Sequence, residues 1–135
     1  MIQRIQSLWL LLTAGCSAGA ILLPFYAGNT SDNLYRQLNG QSHFHLLILC
    51  VAVGISSLTS VFLYKTRKRQ MQVVLLAMIL QLLNIFLFIQ KANAFVDGTY
   101  SLGSIFSFVI PVLLILAIIG IRKDERLIRS MDRLR

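Results

Sequence analysis

Gln81 and Asn84 are the polar residues best placed to act inside an apolar stretch of this sequence. Three residues apart, they share a helix face. Carboxamides there can bridge helices or line the path of a polar solute. Bridging is the plainer role, with Ser56, Ser57, Thr59, Ser60, Thr13 and Ser17 as expected partners. Gly15 and Gly19 form a GxxxG pair, and Ala52, Ser56 and Ser60 repeat that spacing. Small residues four apart let two helix backbones approach closely. The seam they mark is expected within the chain's own bundle, with a second copy or a partner as the alternative.

Catalytic chemistry has little to work with. His43 and His45 stand two apart, which would point them to different faces of a helix, and there are no other histidines to complete a haem or metal site. Cys16 and Cys50 lie in apolar surroundings, without CxxC spacing or an adjacent cation to activate a thiolate. There is neither a nucleophile–base constellation nor a Gly-rich phosphate loop. No catalytic residue, metal, cofactor or small-molecule substrate is therefore expected, and the chain reads as a non-enzyme.

The elements that must hold these residues follow from composition. Of 135 residues, 56% are hydrophobic and 13% charged, against about 25% charged in soluble domains. Too few charges remain to cover a water-soluble globule, and disorder is excluded by the same apolar content. No Asp, Glu, Lys or Arg occurs in 5–31, 37–64, 70–90 or 98–121. About 20 helical residues cross a hydrocarbon core of roughly 30 Å, so each window admits one span. The expected fold class is all-α: an integral membrane bundle of four transmembrane helices near 7–26, 44–64, 73–89 and 102–121, forming one membrane domain over 1–135. Pro24 and Gly28-Asn29-Thr30 end the first span, and Pro111 is expected to kink the fourth. The short connection after the second span fits antiparallel neighbours. The other two connections, of about 17 and 12 residues, are read as plain loops.

Basic residues are unevenly placed. Arg4, then Lys65, Arg67, Lys68 and Arg69, then Arg122, Lys123, Arg126, Arg129, Arg133 and Arg135 fall on one side of the predicted topology. Only Arg36 and Lys91 fall on the other. By the positive-inside rule both termini face the cytoplasm, N-in/C-in. Topology thus accounts for the net charge of +8, although a ribosome or RNA contact by the basic face stays open on electrostatic grounds. The tail 122–135 carries Leu127, Ile128, Met131 and Leu134 at helical spacing. A short amphipathic cytoplasmic helix is expected there, touching lipid headgroups or a protein partner. Arg4, an apolar run and Leu12-Thr13-Ala14-Gly15-Cys16 resemble a lipoprotein signal. Apolar sequence continues beyond Cys16 to Phe25, which favours a retained first helix.

The opening MIQRIQSLWLLL, the connection YKTRKRQMQ and the ending IRKDERLIRSMDRLR resemble a domain-of-unknown-function family of small four-helix membrane proteins from Bacteroidota. The likeness runs in order over the whole chain; the outer loop shows nothing family-like. It implies a multi-pass protein of the bacterial cytoplasmic (inner) membrane and carries over no activity and no site residue. The expected function is that of a non-enzymatic accessory subunit of an inner-membrane complex, with protein export or membrane insertion machinery as the candidate partner. The alternative is a small homo-oligomeric transporter or channel.

Overall fold

The computed structural model describes residues 2–132. Its elements run α1 (Ile2–Leu22), β1 (Tyr26–Thr30), β2 (Tyr35–Leu38), α2 (Phe44–Phe62), a 3₁₀ turn (Leu63–Lys65), α3 (Arg67–Ala92), β3 (Phe95–Tyr100) and α4 (Leu102–Asp132). The helices form a ring: α1 packs on α2 and α4, and α3 packs on the same two. All four are long and apolar enough to cross a membrane.

The distribution of side chains inverts that of a soluble bundle. Gln81 and Asn84 are each 1% exposed, while Ile79 and Leu82 on the same helix are 64% and 55% exposed. Thr13, Ser17, Ser57, Ser60 and Ser107 are likewise buried, and Leu11, Ile55, Leu76, Phe86 and Ile119 face outward. A bundle with so large an apolar exterior needs a non-aqueous surrounding. The interior holds two clusters. One is Leu10, Val53, Val74, Ala77, Ile110, Leu114, Ala117 and Ile121. The other, beneath the strands, is Phe25, Leu38, Leu46, Cys50, Phe88 and Ala92.

The all-α expectation requires correction, because the two longer connections are not plain loops. They pair into an antiparallel three-stranded sheet of order β2-β1-β3. The β1–β2 hairpin turns through residues 31–34, where Asn33 adopts φ 56°, a left-handed conformation that Asn tolerates. Gly28 of β1 faces Gly98 of β3. A Cβ on Gly28 would collide with the Asp97 carbonyl, and one on Gly98 with the Tyr26 ring. Strands that carry two glycines and an Asn-Thr pair lack the alternating apolar pattern that marks a strand.

Phe25 closes the bundle beneath the sheet. Its ring stacks on Phe88 at 4.5 Å and meets Tyr100 edge-on at 5.8 Å. The Phe25 backbone donates to the Leu38 carbonyl and accepts from the Ser101 amide, so this one residue joins α1, the sheet and the start of α4. The opposite end of the bundle is plainer. Residues 122–132 form no separate amphipathic helix; they continue α4 without a break. Likewise α3 begins at Arg67, well before the predicted span.

Candidate functional site

The polar side chains of the spans form an interhelical seam. Pro111 lies inside α4 and has no N–H, so the carbonyl of Ser107, four residues earlier, loses its helical donor. Gln81 Nε2 of α3 donates to that carbonyl at 2.9 Å. Asn84 Nδ2 lies 3.2 Å from Cys50 Sγ on α2, and the Cys50 carbonyl accepts from Ser17 Oγ of α1 at 2.5 Å. All four helices are tied by these three contacts. Further along, Gln70 Nε2 donates to the Ser60 carbonyl at 3.1 Å.

These partners differ from the expected ones. Among the described residues none of the anticipated hydroxyls bonds Gln81 or Asn84. Ser56 Oγ turns back to the Val53 carbonyl and Thr13 Oγ1 to that of Trp9, as Ser and Thr do in helix interiors. The signal that could have found the Gln81 bond is Pro111, whose i−4 carbonyl must be satisfied from elsewhere. Gln81 Oε1, Asn84 Oδ1, Ser57 Oγ, Ser60 Oγ and Gln6 Nε2 are buried without a protein partner.

The small residues divide in a similar way. Gly19 lies against the Phe106 ring, with 3.5 Å to a Cβ placed there, whereas Gly15 is exposed with nothing within 4 Å. Ala52 is half-buried. The close α1–α2 approach is made instead by Ser17, which sits 3.4 Å from a Cβ on Gly54. At the α1–α4 contact Gly120 is covered by Gln6. The two histidines also depart from expectation. His43 is the extended N-cap of α2 rather than a helical residue, and its ring stacks on His45 at 5.4 Å.

At the basic end Arg67 is half-buried and its Nη1 donates to the Asp124 carbonyl at 3.0 Å, tying α3 to α4. Lys65, Lys68, Arg69, Arg122, Lys123 and Arg126 are exposed. Arg129 falls within α4; Arg133 and Arg135 lie outside the described residues. Past its apolar stretch α4 thus presents Arg122, Lys123 and Arg126 beside the exposed Leu127 and Ile128. Over its 31 residues it extends about 46 Å, more than a hydrocarbon core of roughly 30 Å requires.

Four apolar helices around a polar seam, capped by a small sheet, define a compact bundle compatible with a multi-pass membrane protein. Residues 2–134 match the family described as Domain of unknown function (DUF4293), and the chain belongs to it. No curated protein and no solved structure matches the chain.

Proposed function

We propose that the chain is a non-enzymatic accessory subunit of a bacterial inner-membrane complex, oriented with both termini in the cytoplasm. The observation that carries this reading is the continuation of α4 beyond its apolar stretch as one helix to Asp132. It carries cations next to exposed Leu127 and Ile128, and Lys65, Lys68 and Arg69 stand at the same end. Charges in the membrane-proximal loops set orientation, yet orientation alone does not require exposed leucine and isoleucine beside them. A mixed cationic and apolar helix face suits an anionic protein surface. The protein-export or insertion machinery, with its ribosome, is the partner class that such a cytoplasmic face fits.

The test is crosslinking and co-purification from mild detergent, comparing the intact chain with one ending at Lys123. Partners are expected with the intact chain and lost on truncation. Recovery of the intact protein alone, as a monomer, would overturn the reading. A second reading, a small homo-oligomeric transporter or channel, draws on the buried unpartnered oxygens of Gln81, Asn84 and Ser57. Solute flux in liposomes that is abolished by Gln81→Leu and Asn84→Leu would favour it; flux indifferent to both would remove it.

A further inference from the structure

Arg36 and Lys91 are the two basic residues remote from the basic end, and they come from different parts of the chain. Arg36 sits in β2 and Lys91 in the last turn of α3. The fold brings both to the wall of one open cavity of about 460 Å³. His43, Thr30, Gln37 and Ser42 add polar groups to the lining, and Leu38 and Phe95 supply apolar wall.

Several independent features give this cavity one electrostatic sense. The carboxylates of this end, Asp32 in the hairpin turn and Asp97 in β3, are not among its walls. No ion pair joins Arg36 or Lys91 to a described residue. Two cations facing one space without a counter-charge repel, and an anion between them removes that cost. The α2 helix begins at this cavity with His43 as its N-cap, and no side chain caps its first amides. The positive end of the helix dipole, adjoining the cavity at His43, favours an anion. A guanidinium fork and an ammonium together suit the several oxygens of a phosphate.

Size and place narrow the ligand. The volume falls in the range of about 300–1,000 Å³ typical of small-molecule sites, leaving room for more than a bare anion. The cavity lies at the ends of α2 and α3, where their apolar windows stop at Phe44 and Ala92. Phe44 and Tyr35 are exposed at this level, as aromatic residues of a membrane–water boundary are. On the reading of these helices as membrane spans, the neighbouring phosphates are those of lipid headgroups.

We propose that the cavity between β2, the start of α2 and the end of α3 is a binding site for a phosphate-bearing anion, the headgroup of an anionic phospholipid. Arg36 and Lys91 hold the phosphate oxygens, Thr30, Ser42 and His43 stand in the same wall, and Leu38 and Phe95 receive its carbon skeleton. This site lies at the opposite end of the bundle from the proposed docking face and does not depend on it.

The experiment follows the ring protons of His43 by NMR, in full-length protein held in a neutral detergent. Soluble dihexanoyl phosphatidate and inorganic phosphate are titrated separately, with chloride at matched ionic strength as the control. A saturable His43 shift with phosphatidate, weakened at least tenfold by the pair Arg36→Gln and Lys91→Gln, is expected. Saturation by phosphatidate at far lower concentration than by inorganic phosphate identifies the headgroup as the source. Equal response to both supports the phosphate site and assigns it to a free anion. Absence of a saturable shift with either, or the same affinity in the paired variant, overturns the proposal. Lys91→Gln alone, with helix content checked by circular dichroism, separates lost binding from lost fold.

Discussion

The two ends of the bundle are finished by opposite means. At the sheet end, the chain between helices folds back on itself, buries Phe25 against Phe88 and leaves two cations at one cavity. At the basic end, α2 passes to α3 through a single 3₁₀ turn, α4 runs on, and most cations point outward. Closure requires apolar side chains withdrawn from solvent, whereas a surface for other molecules requires charge left in it. The difference places the large aromatic closure at one end, with its charge gathered at one cavity, and spreads exposed charge over the other.

The strongest test of that contrast is Phe25→Ala, expected to cost about 3–5 kcal/mol as a large buried aromatic is lost. Lys68→Ala and Arg69→Ala, exposed at the other end, should each stay within about 0.5 kcal/mol. Unfolding of detergent-solubilised protein, followed by circular dichroism, measures both. A Phe25→Ala effect no larger than those of the lysine and arginine would break the comparison.

Between the ends, Gln81→Leu should cost about 1–3 kcal/mol by leaving the Ser107 carbonyl unsatisfied. In a Pro111→Ala background the restored amide reaches that carbonyl, and most of the Gln81→Leu cost should vanish. A double-mutant cycle reads this coupling; strictly additive effects would show that the proline and the carboxamide are unrelated. Arg67→Ala then sharpens the picture at the basic end. Its bond to the Asp124 carbonyl is part-exposed, so a loss of about 1 kcal/mol is expected, distinguishing it from its neighbour Arg69.

The smallest effect concerns pH. Partial burial, then Lys91, then His45 hold His43 below its ordinary value of 6.5. The unfolded chain therefore takes up a proton first as pH falls, and the sheet end should lose stability from about pH 6.5 downward until His43 itself charges. Lys91→Gln should raise the His43 titration midpoint in NMR and narrow that window. An unchanged midpoint would show that the ammonium does not act on the imidazole.

The helices could be read from charge because a charged residue in hydrocarbon is costly at any point along a span. The charge-free windows put one span at 44–64, close to α2, and start another at Leu102, where α4 begins. The ends differ where helix and apolar window diverge: α3 takes in Arg67 and Lys68, and α1 stops at Leu22, before Pro24. The sheet escaped notice because its pairing is non-local. Gly28 finds Gly98 seventy residues away, and neither glycine signals this by itself. The seam was half legible. Gln81 and Asn84 stood out as buried amides, but their acceptors on Ser107 and Cys50 depend on which helices adjoin. Arg36 and Lys91 were visible only as exceptions to a charge bias; their meeting at one cavity comes from the turn of the hairpin.

Because α4 is one continuous helix from Leu102 to Asp132, with the Gly103 amide donating to the Pro24 carbonyl near its first turn, a single element joins the sheet end to the basic end. Its 31 residues extend about 46 Å, and Gln81 bridges the carbonyl that Pro111 leaves without its helical donor along that length.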